Sequence, residues 1–153
     1  MEQRISYQEL TPETLAGLNR VEGFIKSSGL DLKLLELIKY RVSQINGCAF
    51  CLDMHYKEAI SLGETELRLY SVSAWKECPY YTDNERAVLA FVELLLNSNH
   101  SEVSDEVYKG LRSHYTKQEI AVLTLAISSI NTWNWINKTF QTLPGLYEVG
   151  QFA

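Results

Sequence analysis

Proline is scarce in this chain of 153 residues, with three copies at positions 12, 79 and 144. So few breakers leave room for uninterrupted helices. Cysteine is also scarce: three copies are too few for a disulfide scaffold at this length. No stretch approaches the ~18 consecutive apolar residues of a membrane span. The opening MEQRISYQEL lacks the apolar core of a secretory signal. Cationic residues are outnumbered, 14 Lys and Arg against 19 Asp and Glu, for a formal net charge of −5. No basic stripe is available to track a phosphate backbone, so nucleic acid is not an expected partner. These absences lead to the expectation of a cytoplasmic chain without a membrane partner. What is present is a hydrophobic fraction of 46%, enough for a core and too much for global disorder. The length suits a single domain over residues 1–153.

The apolar spacing is helical almost throughout. Asn46-Gly47 does not join alternating strands but lies between two segments of helical periodicity. Thr11-Pro12 reads as the opening of a first helix, with Leu15, Leu18, Val21, Glu22 and Ile25 along one face. Asp31 reads as the cap of a second helix, whose apolar positions are Leu34, Leu35, Leu37, Ile38, Val42 and Ile45. A third helix is expected from about Cys48 to Leu62-Gly63 and a fourth from Glu66 to Trp75. Thr82 with Glu85 and Thr116 with Glu119 have the spacing of capping boxes, opening helices that run through Leu96 and from Ile120 to Lys138. A short helix is expected over Ser104–Arg112, a turn over Asn97–Ser101, and an irregular tail after Leu143-Pro144-Gly145. The fold class is therefore all-α, with about six to eight helices. A weak internal echo relates Leu35–Asn46 to Ile120–Asn131, at an offset of 85 residues. The second copy has Trp133, Ile136 and Phe140 where the first has Cys48, Cys51 and His55, so only the first carries polar chemistry.

Cys48-Ala49-Phe50-Cys51-Leu52-Asp53-Met54-His55 is the sharpest signal. On one helix the two cysteines and His55 fall on a common face. A thiolate at a helix start meets unpaired N–H groups and the positive end of the dipole, which lowers a Cys pKa from about 8.5. His55, one turn beyond Cys51, can take a thiol proton or stabilise the thiolate. The spacing thus supplies two thiols able to form a disulfide and a base beside one of them.

Rival readings are weaker. Two cysteines and a histidine on one face make poor inert core. A structural zinc site needs a fourth ligand, from Cys78 or His100, and such sites favour turns and a second Cys pair that this chain lacks. Attachment of a c-type haem requires His directly after the second Cys, where Leu52 stands. Glu36, twelve residues before Cys48 and flanked by Leu34, Leu35, Leu37 and Ile38, is costly to bury unpaired. It can sit at the face edge, pair with Lys39 or Arg41, or orient His55, and spacing does not choose among these. Cys78 before Pro79 reads as a lone thiol, and His114 reads as solvent-facing, as does His100 in its turn. Trp133 and Trp135 read as core or interface residues, and Tyr80-Tyr81 as a loop filler or a cover for an entrance.

Arg41-Val42-Ser43-Gln44-Ile45-Asn46-Gly47-Cys48-Ala49-Phe50-Cys51-Leu52-Asp53-Met54-His55, with Glu36 upstream, resembles the core motif of the alkylhydroperoxidase AhpD-like branch of the carboxymuconolactone decarboxylase superfamily. Gly63-Glu64-Thr65, Ser73-Ala74-Trp75 and Asn131-Thr132-Trp133-Asn134 extend the resemblance, which covers about residues 31–140. It implies an AhpD-like helical bundle and thiol-dependent reduction of hydroperoxides. It implies that Cys51 is the peroxide-reacting cysteine, Cys48 the resolving one, and His55 with Glu36 a proton relay. It also implies a homotrimer or homohexamer, re-reduced by a partner dithiol such as a lipoylated or thioredoxin-like protein. No cofactor or metal is called for. The departure is Phe50, which stands where peroxidase members of the branch often carry a second histidine. The decarboxylase branch usually lacks the Cys pair, so lactone decarboxylation is disfavoured. Two other readings stay open: a general thiol–disulfide oxidoreductase or redox sensor, and a non-enzymatic helical oligomer whose Cys pair binds a structural metal or is inert.

Overall fold

The computed structural model describes residues 2–97 and 102–152. Among these residues there are seven α-helices and no strand: α1 (Ala16–Lys26), α2 (Leu32–Asn46), α3 (Ala49–Ser61), α4 (Glu66–Ser71), α5 (Asp83–Asn97), α6 (Asp105–Arg112) and α7 (Lys117–Phe140). Short 3-10 turns cover Tyr7–Glu9 and Val72–Ala74. Among the described residues no helix is long and apolar enough to cross a membrane. The expected turn over Asn97–Ser101, with His100, lies largely outside the described residues.

Polar side chains set the helix starts by accepting from amides that have no partner within the helix. Asp31 accepts from Lys33 N at 3.0 Å, and Ser104 from Val107 N at 3.3 Å. At Thr116 the capping box is complete: its hydroxyl accepts from Glu119 N at 3.1 Å and Glu119 accepts from Thr116 N at 2.7 Å. At Thr82 the Glu85 carboxylate accepts from both the amide, at 2.8 Å, and the hydroxyl, at 2.9 Å.

The first helix starts later than Thr11-Pro12 suggests. Residues 11–15 form i→i+3 turns, with Thr14 N donating to Thr11 O at 3.0 Å and Ala16 N to Glu13 O at 3.3 Å. The Thr11 hydroxyl pairs with Thr14 at 3.1 Å instead of capping a helix. Residues 11–14 are exposed, so no tertiary packing stabilises another helical turn there. The fourth helix likewise gives way to a 3-10 turn at Val72, before Trp75.

Helix α2 is central because two of its faces are apolar. Leu35, Ile38 and Val42 join Ile25 of α1, Val88 and Val92 of α5, and Leu123 and Ile127 of α7 in the main core. Leu37 points into a second cluster with Ala59, Leu69, Val72, Trp75, Tyr81 and Leu89. Where α2 crosses α7, a polar ladder replaces the apolar contact. Asn46 Nδ2 donates to Asn131 Oδ1 at 2.8 Å and to Asn134 Oδ1 at 2.9 Å. Asn134 Nδ2 donates to Ser43 Oγ at 3.1 Å. The two asparagines that end the echoed segments thus bond to each other. Beyond them the copies diverge: α7 continues through Thr132, whereas α2 stops at Gly47, whose φ is 63°.

That left-handed conformation ends α2 and turns the chain into α3. A Cβ on Gly47 meets nothing within 4 Å, so the cost of a side chain there is conformational and not steric crowding. Gly47→Ala is expected to destabilise the fold by about 1 kcal/mol, a fall of roughly 3 °C in Tm, with Gly47→Asn costing less. Thermal melts of the three proteins check this, and identical melts contradict it.

Candidate active site

The Gly47 turn places Cys48 at once on the next helix. Gly47 N donates to Gln44 O at 3.2 Å and Cys48 N to Ser43 O at 3.1 Å, closing α2 in a Schellman-type pattern. Cys48 is extended (φ −92°) and serves as the N-cap of α3, its Sγ accepting from Cys51 N at 3.4 Å. Cys48 and Cys51 form a disulfide with Cα atoms 5.3 Å apart. The pair is 1% and 2% exposed, in a small apolar cluster with Phe50 and Tyr147, against which Met54 packs.

Helices α2 and α3 run back along each other from this corner. A rise of 1.5 Å per residue puts Glu36 about 16 Å and His55 about 12 Å from Gly47, near enough for their side chains to meet. They do: His55 Nδ1 lies 2.7 Å from Glu36 Oε2, with both side chains buried. The carboxylate accepts, so a neutral imidazole carries its proton on Nδ1. Nε2 is then left with the lone pair that can take another proton. Spacing left three partners open for Glu36, and the geometry selects two of them. Its second oxygen, Oε1, pairs with Lys39 Nζ at 3.3 Å. Arg41 turns instead to Glu93, at 2.7 Å.

The charge chain continues where sequence reasoning did not look. Lys39 Nζ also pairs with Glu22 Oε2 of α1 at 3.1 Å, and Ser129 Oγ of α7 donates to Glu22 Oε1 at 2.6 Å. Ser129, Glu22, Lys39, Glu36 and His55 therefore form one line across four helices. Signals for it were present: Glu22 stands on the apolar face of α1, and Lys39 follows Glu36 by three on a helix whose other inward residues are apolar. Burial by itself raises the Glu36 carboxyl, but the charges and hydrogen bonds of His55 and Lys39 outweigh it and hold the group at about 2. Burial also depresses the Lys39 ammonium, and Glu36 with Glu22 more than compensates, so its pKa is raised.

The other sequence candidates lie apart from this site. Cys78 is a free thiol packed against the second core cluster, with Sγ 3.9 Å from Ser71 O. His114 is exposed and sits beside Tyr115. Trp133 packs against the main core, whereas Trp135 is 63% exposed. Tyr81 is buried as a core filler and Tyr80 is exposed. Among the described residues no group of three or more His, Cys, Asp or Glu side chains could hold a metal ion, and His100 lies outside them.

A carboxylate held low stabilises the fold where it is ionised. That contribution is complete above the ordinary carboxyl value of 4.5 and is lost as pH falls toward about 2 for Glu36. Glu85 and Glu93, also held low against their burial by Arg68 and Thr82 and by Arg41, Trp75 and Lys76, act in the same direction. The melting temperature is expected to be level from about pH 7 to 5 and to fall below that. Glu36→Gln should cost about 3 kcal/mol at neutral pH, because Lys39 loses a buried partner, and should make the acid limb shallower. Parallel acid limbs for the two proteins, followed by circular dichroism melts, contradict this.

A model of the carboxymuconolactone decarboxylase family matches residues 12–94. The uncharacterized protein YdfG of Bacillus subtilis (strain 168) is 43% identical over 137 residues, 90% of this chain and 93% of YdfG. A crystal structure from Agrobacterium tumefaciens superposes with a TM-score of 0.89 at 38% identity, over 95% of this chain and 100% of that one. That protein is of unknown function and is a candidate antioxidant defence protein AhpD. An uncharacterized peroxidase-related protein from Silicibacter sp. TM1040 shares the fold at 20% identity, with a TM-score of 0.78 over 91% of this chain and 74% of that one. The family model spans more than half of this chain, and YdfG matches nearly all of it. This chain therefore belongs to the carboxymuconolactone decarboxylase family, on its AhpD-like branch.

Proposed function

We propose that the protein is a thiol-dependent peroxidase, alkylhydroperoxide reductase-like, with Cys51 as the attacking thiolate. The observation that carries this reading is the Cys48–Cys51 disulfide at the start of α3, one helical turn before a histidine held by a buried carboxylate at 2.7 Å. In the reduced protein His55 takes the Cys51 proton on Nε2 while Glu36 fixes the ring through Nδ1. The Cys51 thiolate attacks the terminal oxygen of a hydroperoxide, the O–O bond breaks, and the alkoxide leaves with the proton that His55 returns. Cys51 is then a sulfenic acid. Cys48 attacks its sulfur, water leaves, and the disulfide forms. A dithiol donor returns two electrons and two protons by exchange through a mixed disulfide. The relatedness to an antioxidant defence protein candidate at 38% identity supports peroxide as the oxidant. We take the donor to be a lipoylated or thioredoxin-like protein, the assembly to be a homotrimer or homohexamer, and the location to be the cytoplasm.

One observation favours a second reading. Phe50, between the two cysteines, is buried and packs against Tyr147, so it contributes no proton donor to a departing hydroxyl. A site of this kind is suited to thiol–disulfide exchange with a slow peroxide step.

Stopped-flow oxidation of the reduced protein by hydrogen peroxide and by an organic hydroperoxide separates the two. The peroxidase reading expects thiol loss far faster than for a free cysteine. Cys51→Ser should abolish it, and Cys48→Ser should leave the first oxidation intact while trapping Cys51 as sulfenic acid. His55→Gln should slow attack about 100-fold at pH 7, with partial recovery at higher pH. Consumption of either peroxide at the rate of a free thiol sinks the peroxidase reading and leaves the exchange reading.

A further inference from the structure

The irregular segment after α7 closes over the site. The chain reverses at Gln141, whose φ is 53°, and residues 145–152 run along α3. Gly145 N donates to Asp53 Oδ2 at 2.9 Å. Lys57 Nζ, paired with Asp53 at 2.9 Å, donates to Gly145 O at 3.3 Å and to Tyr147 O at 3.0 Å. Gly150 N donates to Glu58 Oε1 at 3.0 Å, and the Tyr147 hydroxyl donates to the same oxygen. Asp53, Lys57 and Glu58 all belong to the helix that begins with the cysteines. Tyr147 meets Phe50 edge-on, with ring centroids 6.5 Å apart, and is 4% exposed beside the disulfide.

The attachment is narrow. Leu146, Val149 and Phe152, the other apolar side chains of the segment, are all more than half exposed. Tyr147 is therefore its single buried apolar anchor, backed by a few polar bonds. Segments that bury so little open locally at low cost. Burial, and then the hydrogen bond to Glu58, raise the Tyr147 phenol, which keeps it protonated as the donor in that bond.

Thiol–disulfide exchange requires an incoming thiolate to contact one sulfur in line with the S–S bond. At 1% and 2% exposure neither sulfur offers that contact in the closed arrangement. Helix α2, from which the pair's helix turns back, belongs to the main core, whereas Tyr147 packs with the pair from a strap that contributes nothing to that core. We propose that Tyr147 is a specificity-determining residue of the dithiol: with residues 145–152 it covers the Cys48–Cys51 disulfide, and a reductant reaches a sulfur only when this strap lifts. The incoming dithiol then forms a mixed disulfide with one cysteine and releases the other as thiolate. Its second thiol displaces that cysteine, so the donor is oxidised by two electrons and the pair is reduced by two. A bulky protein dithiol needs a larger opening than a small one. The strap therefore discriminates by size.

This inference rests on the redox activity of the pair but not on peroxide as its oxidant. The test is the second-order rate of reduction of the oxidised protein, by thiol counting, with dithiothreitol and with reduced thioredoxin. Tyr147→Ala is expected to raise the dithiothreitol rate at least tenfold and the thioredoxin rate by more, narrowing the gap between them. Tyr147→Phe keeps the ring and removes only the bond to Glu58, and should raise both rates about two- to tenfold. Leu146→Ala, on the same strap but exposed, should leave both unchanged. Circular dichroism establishes that each variant keeps its helices, and if Tyr147→Ala does not fold, Tyr147→Phe against Leu146→Ala decides. Parent-like rates for folded Tyr147 variants, or equal acceleration by Leu146→Ala, overturn the proposal. Slow oxidation by peroxides alongside fast, strap-dependent reduction rejects the peroxidase reading alone.

Discussion

The left-handed glycine at position 47 is the constraint on which the site depends. It closes α2, reverses the chain within two residues and makes Cys48 an N-cap. The same step sets α3 against α2, so that Glu36 and His55 face each other across a separation that neither helix could span alone. The protein contains its own comparison. Helix α7 reaches the position corresponding to Asn46 at Asn131, meets Thr132 in place of glycine, and stays helical to Phe140. Without a residue that tolerates positive φ there is no corner, no second N-terminus and no place for a capping thiol.

Around that corner the buried charges are arranged so that moving a thiol proton to His55 shifts one negative charge from the cluster to the sulfur. Glu22, Lys39 and Glu36 sum to a formal charge of −1 when His55 is neutral, and to zero when His55 has taken a proton. A thiol proton passed to the imidazole therefore neutralises the cluster. Lys39 has a double part in this. With His55 it outweighs the burial that raises the Glu36 carboxyl, and it ties α1 to α2 through Glu22. Ser129 carries the tie to α7. The relay is fastened to the core on three sides, which restricts the imidazole to one orientation relative to the cysteines on its own helix.

What could be read from the sequence was local. Helix caps at Asp31 and Thr116 are decided by a side chain and an amide two or three residues away, so spacing reveals them. The face shared by Cys51 and His55 is a matter of helical period, whereas Cys48 is extended and caps the helix. His55 was one of three partners that spacing left open for Glu36, and the turn at Gly47 selects it. The start of α1 was misread because Thr11-Pro12 has the right chemistry for a helix opening but no apolar contact to stabilise it. Glu22 and Ser129 stand 107 residues apart, and no periodicity joins them. The tail was legible as irregular but not as a cover. Among its described residues one tyrosine is the buried apolar side chain, and a single aromatic carries no pattern.

The two sulfurs differ in what surrounds them, and the difference orders the proposed chemistry. Cys48 holds the N-cap, where its sulfur accepts the Cys51 amide at 3.4 Å and meets the positive end of α3. Cys51 lies inside the first turn, and in the proposed mechanism His55, one turn further along, takes its proton. In exchange reactions the sulfur better stabilised as thiolate is the better leaving group. In the proposed mechanism that sulfur is Cys48, at the helix N-terminus, so an incoming dithiol bonds to Cys51 and expels Cys48. On this proposal peroxide and reductant react at the same sulfur. The apolar cover of Phe50 and Tyr147 has to satisfy opposed demands at that one position. It must be dry enough for the thiolate–imidazolium pair to be strong, and it must open widely enough for a second protein to reach it. A histidine at position 50 would ease the first step by adding a proton donor, but it would put a polar group under the strap where Tyr147 now packs on an aromatic ring. Phe50 and Tyr147 are in this sense one choice, made in favour of a sealed disulfide.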